Sequence, residues 1–327
     1  MAPSSSRVAV VYNPIKVGAD EIRRRVESRA SRHGWTDPVF YETTEADPGT
    51  GQAADAVAEG VGLVIACGGD GTIRSVAQGL IGSSIPMGVV PLGTGNLLAR
   101  NLDIPLDAVD RALYVAMSGR TRSIDLGEVR YTDGEGRTHD DVFLVMLGAG
   151  MDADMIAGTD DQLKNRVGWL AYVGAFANTL LRGHRIKVEY ALDDGESTYA
   201  KARTLLVANC GMLQGGMVLL PAAVIDDGQL DVMALRAKGV LEWTQAGAVL
   251  AQHTVRHRVR SIRGSGTPPE EREYRRNPPV DFRQGVGMHA RILEKPASFQ
   301  IDGEDCGTVT EFNARIKNRG LMVRVAL

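Results

Sequence analysis

Cysteine is scarce: the chain of 327 residues has three, Cys67, Cys210 and Cys306, scattered far apart. That excludes a disulfide framework and points to a reducing compartment. Aromatic residues are few as well, 5% of the total, which leaves little material for a base-stacking platform. The formal net charge is only -3, so no global field draws the chain to nucleic acid, and no nucleic-acid partner is expected. No run approaches the ~20 apolar residues that a membrane-crossing helix needs. Met1 to Arg7 is not followed by an apolar core of signal-peptide length. There is no G-x-x-x-x-G-K-[ST] sequence, which argues against a Walker-type P-loop. No repeat recurs at solenoid spacing.

What is present is an ordinary soluble composition, 44% hydrophobic and 24% charged, in a chain long enough for two domains. The richest stretch is LVIACGGDGTIRSVAQGL, Leu63 to Leu80. Leu63–Cys67 is too short for a helix and reads as a buried strand. Gly68-Gly69-Asp70-Gly71-Thr72 then reads as a loop, and a helical pattern begins at Ile73 with Val76, Ala77 and Leu80 on one face. Strand, glycine loop and helix form a phosphate-binding layout: glycines admit close approach, and a helix N-terminus offers free N–H groups. The layout repeats at once. Met87–Leu92 reads as a strand, Gly93-Thr94-Gly95-Asn96 as its loop, and Leu97–Leu102 as a helix start. Two such loops on successive parallel strands stand side by side at the strands' carboxyl ends, where open α/β folds bind ligands. Gly68, Gly69, Gly71 and Thr72 can supply backbone donors. Thr94 and Asn96 can donate to phosphate or ribose, and Asp70 can position phosphate or a hydrated metal.

Around these motifs, strand and helix alternate from residue 7 to about 123: strands at Val8–Val11 and Val39–Tyr41, helices at Glu21–His33, Gln52–Glu59 and Asp107–Ser118. That alternation implies a parallel sheet covered on both faces. After Asp125 short strand-like segments dominate: Gly127–Tyr131, Val142–Leu147, Arg185–Leu192, Lys201–Val207, Gln229–Ala234, Ser298–Ile301 and Leu321–Val325. Helical patterns at Gly168–Leu181 and Val240–Arg260 and a Pro/Gly-rich loop over 264–279 interrupt them. The domains expected are 1–124, α/β and nucleotide-binding, and 125–311, β-rich, with 312–327 packing back on the first. Gly148–Ala153 matches G-x-G-x-x-A but lacks the acidic strand end of a dinucleotide site, and reads as a glycine turn. His253 and His257 lack the intervening glutamate of a zinc peptidase. The arginines from Arg256 to Arg276 read either as a solvated helix end or as a patch for anionic headgroups.

Taken together, Asn13-Pro14, Thr43-Thr44-Glu45 with Pro48-Gly49, GGDGT, PLGTGN, Pro221-Ala222, Asp227-Gly228 through Asp231-Val232, and Ile301-Asp302-Gly303-Glu304 resemble the diacylglycerol kinase catalytic-domain family. These pieces run in family order over nearly the whole chain. The resemblance implies a three-layer α/β nucleotide domain of NAD-kinase or phosphofructokinase type, a following β-sandwich, and an active site in the cleft between them. It implies ATP held by Gly68–Thr72 and Gly93–Asn96 with Asn13, Pro14 and Thr44 contributing. It implies Mg²⁺ at the loop VIDDGQ, on the Asp227 side chain and the carbonyls of Val224 and Gln229, oxygen donors of the kind this cation takes. Asp302-Gly303-Glu304 would supply the base that removes the acceptor's proton, with Asp302 and Glu304 both open. Many bacterial members carry Asp after the PLGTGN asparagine, where this chain has Leu97; Asp125 is the next acidic candidate for the metal network. The activity implied is an ATP-dependent lipid kinase acting on diacylglycerol or a related lipid. The rivals are a kinase of a soluble acceptor such as NAD and a nucleotide- or lipid-binding regulator with little turnover. A lipid kinase of this kind is expected in the cytoplasm, touching the inner membrane face transiently, with a homodimer open.

Overall fold

The computed structural model describes residues 6–150, 185–213, 218–237, 242 and 279–327. The helical patterns at 168–181 and 240–260, the 264–279 loop, His253, His257 and the basic cluster from Arg256 to Arg276 lie outside these residues. The chain divides into one unit of residues 1–126 with 317–327 and a second of residues 127–316.

In the first unit the strands are β1 (Arg7–Tyr12), β2 (Thr36–Glu42), β3 (Leu63–Gly68) and β4 (Met87–Pro91). They pair in parallel in the order β2-β1-β3-β4. β3 and β4 are buried at every residue, which is why they read as continuous apolar runs rather than alternating ones. The helices are α1 (Ala19–Ala30), α2 (Thr50–Ala58), α3 (Asp70–Gly79), α4 (Leu97–Asn101) and α5 (Val109–Ser118). Ile22, Val26 and Ala30 recur at four-residue spacing and bury one stripe of α1. Gly88 lets α5 close on the sheet: a β-carbon there would lie 2.6 Å from that of Ala116.

In the second unit the strands are antiparallel. They are β6 (Thr138–Phe143), β7 (Met146–Ala149), β8 (Ile186–Leu192), β9 (Thr198–Ala202), β10 (Thr204–Ala208), β11 (Leu230–Leu235), β12 (Val280–Gly285), β13 (Gly287–Ile292) and β14 (Ala297–Ile301). Two long strands, β5 (Arg120–Asp133) and β15 (Glu304–Val325), begin in one unit and end in the other. Pairing runs β12-β11-β10-β7-β14-β15, then β13, β8 and β9, with the β5–β6 hairpin alongside. The core is a β-sandwich filling in which Phe299 stands 5.5 Å from Phe312 and 4.9 Å from Tyr131, ring centre to ring centre.

The structure departs from the sequence expectation in several places. The segment 142–147 is two strands, broken at Leu144-Val145, whose amides are taken by a side chain described below. The segment 201–207 is also two, broken at Arg203, whose N–H turns to the Leu235 carbonyl. β12 and β13 were not foreseen, although β13 alternates buried Met288, Ala290 and Ile292 with exposed His289 and Arg291. The helix after GGDG begins at Asp70 rather than Ile73, so Gly71 and Thr72 belong to its first turn. Among the described residues no helix is long and apolar enough to cross a membrane.

Candidate active site

The first unit brings four strand ends together in the order β2-β1-β3-β4. Each leads into a segment singled out from the sequence. After β1, Asn13 donates its N–H to the Cys67 carbonyl and takes the Ile15 N–H on Oδ1, an Asx turn that places Pro14. After β2, Thr44 Oγ1 accepts the Asp47 N–H at 3.0 Å. After β3, Gly68 has the Thr72 side chain against its α-carbon, where a β-carbon would come within 2.5 Å. After β4, the Leu92 N–H returns to the Gly68 carbonyl at 2.8 Å.

The two glycine loops are physically one object. A β-carbon on Gly93 would lie 2.8 Å from the Gly69 α-carbon, so only glycine admits the approach. Asp70 closes the pair: Oδ2 accepts the Asn96 N–H at 2.7 Å and Oδ1 the Leu97 N–H at 2.6 Å. Asn96 sits in the left-handed region at φ 47, which Asn tolerates. Its side chain bonds Gly93 at both ends, 3.0 Å to N–H and 2.7 Å to the carbonyl. Thr94 and Gly95 are the residues thus bracketed, and the Gly95 carbonyl accepts Arg100 Nε–H at 2.7 Å. The first N–H groups of α3, from Asp70 to Thr72, have no partner within their own helix. Leu97 is buried, and its backbone N–H does the work at this position. Asp125, also a candidate from sequence, is fully buried in the same unit and accepts the Arg319 N–H at 2.6 Å, which anchors the returning segment 317–327.

The second unit carries the carboxylate motif on the β14–β15 hairpin. Asp302 and Gly303 have φ of 50 and 86, a two-residue turn with both centres left-handed, and Ile301 pairs with Glu304 across it. The two acidic residues are treated differently. Asp302 is 3% exposed, and its oxygens accept the N–H groups of Leu144, Val145 and Met146 at 2.8, 2.9 and 2.9 Å. A carboxylate so committed ties the end of β6 and the start of β7 to the hairpin. Glu304 is exposed at the hairpin end.

The VIDDGQ loop stands before β11. Asp227 Oδ1 accepts the Gln229 N–H at 3.0 Å, and the Val224 carbonyl accepts the Asp227 N–H at 3.4 Å. Two positions beyond Gln229, Asp231 is 3% exposed; one oxygen takes the Gln284 amide at 3.1 Å and the other has no hydrogen-bond partner among the described residues. Burial, and secondarily the charge of Asp227, pushes its carboxyl up to about 7. An all-oxygen loop beside an orphaned buried carboxylate oxygen fits a hard divalent cation. Among the described residues no three His, Cys, Asp or Glu side chains converge on a metal position, so carbonyls must complete any such site. The sequence reading placed Asp231 in the motif that runs from Asp227-Gly228 to Asp231-Val232 but gave it no role.

Comparison with known proteins follows the same division. Residues 7–129 match the family model of the diacylglycerol kinase catalytic domain. Residues 145–266 match that of the YegS C-terminal NAD kinase beta sandwich-like domain. A diacylglycerol kinase of Bacillus subtilis (strain 168) is 28% identical over 250 residues, 74% of this chain and 78% of that protein. A Yersinia pestis (strain Pestoides F) protein named "Probable lipid kinase YegS-like" is 33% identical over 195 residues, 57% of this chain and 61%, less than two thirds, of that one. The crystal structure of a diacylglycerol kinase from Bacillus anthracis str. Sterne superposes with TM-score 0.66 at 17% identity, covering 98% of this chain and 97% of that one, which is a likeness of fold.

Proposed function

Because the chain belongs to the diacylglycerol kinase catalytic-domain family, a family of lipid kinases, we propose that it transfers the γ-phosphoryl group of ATP to a hydroxyl of diacylglycerol or a related lipid. The observation that carries this reading is the clamping of PLGTGN onto GGDGT by Asp70. That contact builds a glycine-lined cradle next to a helix N-terminus, the arrangement that phosphate groups favour. Asn13, Pro14 and Thr44 border the same strand ends and would bind the rest of the nucleotide.

In the transfer, the acceptor hydroxyl oxygen forms a bond to the γ-phosphorus while the bond from that phosphorus to the β,γ-bridging oxygen breaks, releasing ADP. The hydroxyl proton passes to Glu304, the exposed carboxylate of the DGE turn. Asp302 fixes the turn that presents it. Mg²⁺, when bound, supplies charge neutralisation of the phosphates and, at the VIDDGQ loop, a structural cross-link. Asp227 with the Val224 and Gln229 carbonyls would hold the structural ion, and Asp70 is the carboxylate nearest the phosphate cradle. The cytoplasmic face of a membrane is the place where such an acceptor is met.

The test is incubation with γ-labelled ATP, Mg²⁺ and a total lipid extract, with NAD in a parallel tube and a Glu304→Gln variant beside the wild type. A labelled lipid that the variant fails to make is the expected result. Label in NAD alone would replace the acceptor class. ATP binding with no labelled product would make the protein a regulator and turn attention to Leu97.

A further inference from the structure

The second glycine loop carries a cation that the phosphate cradle described above leaves without a use. Arg100 lies on α4, and its side chain runs back toward the start of that helix, as long helical side chains do. Its Nε–H donates to the Gly95 carbonyl at 2.7 Å. This bond sets the guanidinium beside Thr94-Gly95-Asn96, the segment that Asp70 ties to GGDGT through the Asn96 N–H. Arginine presents a planar fork of N–H donors. Arg100 spends one on Gly95 and makes no other hydrogen bond or ion pair among the described residues. Other arginines of the first unit are taken up by carboxylates: Arg7 by Glu59, and Arg25 and Arg29 by Asp110. At Arg100 the helix neighbour three residues back is Leu97, which has no charge. Asp70 gives its oxygens to the N–H groups of Asn96 and Leu97. Arg100 is partly exposed and Thr94 is exposed, so this side of the loop is open to a ligand.

Electrostatics gives the remaining donors a task. The cradle is built of neutral N–H dipoles around the Asp70 carboxylate. A polyphosphate brought there carries several negative charges and is repelled by that carboxylate, so a cation at the loop decides much of its affinity. A guanidinium suits the purpose. Its fork matches two phosphate oxygens at once, and a charge-assisted pair is stronger than a neutral one. Holding Nε in advance also lowers the cost of ordering the side chain when the ligand arrives.

Resting on the reading of this unit as an ATP site, we propose that Arg100 is a phosphate-binding residue. Its Nη groups clasp oxygens of the ATP polyphosphate beside Thr94 and Gly95, while the Gly95 carbonyl holds the guanidinium in place. The positive charge of Arg100 offsets the negative charge of Asp70, so that the paired glycine loops accept a nucleoside triphosphate through its phosphates.

The experiment is calorimetric titration of the full chain with ATP and Mg²⁺, using wild type, Arg100→Gln and Arg100→Lys, with thermal melting to report folding. Both substitutions remove the Nε–H bond to Gly95, but Arg100→Lys alone keeps a positive charge. Arg100→Gln should weaken ATP binding about tenfold or more, the scale of one charge-assisted hydrogen bond. Arg100→Lys should bind ATP at least about threefold more tightly than Arg100→Gln does. Affinity should also fall less steeply with added potassium chloride in Arg100→Gln than in wild type, because one screened attraction is gone. An Arg100 that only anchors Gly95 predicts equal losses in the two variants and an unchanged salt dependence. Either result overturns the inference, as does an Arg100→Gln variant that binds ATP as tightly as wild type. Failure of wild type to bind ATP overturns the nucleotide reading itself, and the inference falls with it.

Discussion

At the scale of single residues, the DGE turn separates two carboxylates that the sequence leaves equivalent. Asp302 satisfies three backbone N–H groups in a buried setting, whereas Glu304 is exposed. Their substitutions should therefore fail in different ways. Asp302→Asn places an amide NH₂ against one of those N–H donors, and should cost about 2–4 kcal/mol of stability, seen as a lowered urea midpoint. Glu304→Gln should leave the midpoint within about 0.5 kcal/mol and reduce turnover about 10²–10⁴-fold. Equal loss of stability in the two variants would show that the turn, and not one oxygen pair, is what matters. The motif announced this site, but division of labour within it depends on amides more than 150 residues away in sequence, and nothing local encodes that.

At the scale of elements, legibility followed burial and period. β3 and β4 were readable because both faces are covered and the apolar runs are unbroken. The two glycine loops were readable because glycine at close spacing has few other uses. The break at Leu144-Val145 was not readable, because apolar residues continue through it and only the Asp302 contacts interrupt the pairing. β12 and β13 escaped for the opposite reason: neither holds an apolar run, β13 alternating its buried residues with exposed His289 and Arg291 and β12 carrying exposed Arg283 and Gln284. The contact between the loops is itself testable. Gly93→Ala puts a methyl group 2.8 Å from the Gly69 α-carbon. The loops must then part, and we expect a penalty of about 1–3 kcal/mol. If they form the phosphate cradle, ATP affinity measured by calorimetry should fall about tenfold or more. Gly82→Ala, at a left-handed turn with open space around it, serves as a control that loses stability without losing affinity.

At the scale of the whole chain, the first unit is assembled from two separated pieces, 1–126 and 317–327. The second piece contributes Leu321, Val323 and Val325, all buried, and pairs Val323 with Met87 on β4. Arg324 adds hydrogen bonds to the carbonyls of Ala116 and Met117. A chain ending at Ile316 should lose about 1.5–3 kcal/mol for each of the larger buried side chains and strand the buried Asp125 carboxylate without the Arg319 amide. Hydrogen exchange should then quicken through β3 and β4 while protection persists in β10 and β11; uniform protection would refute this dependence. The same arrangement bears on biosynthesis. Domains commonly fold as they leave the ribosome, at about 5–20 residues per second, but here about 190 residues separate Leu126 from Lys317. For tens of seconds the nascent first unit waits with an open sheet edge, a surface prone to mispairing. A β4 edge covered by residues 317–327 leaves a partly translated chain with an unfinished first unit until the last residues emerge.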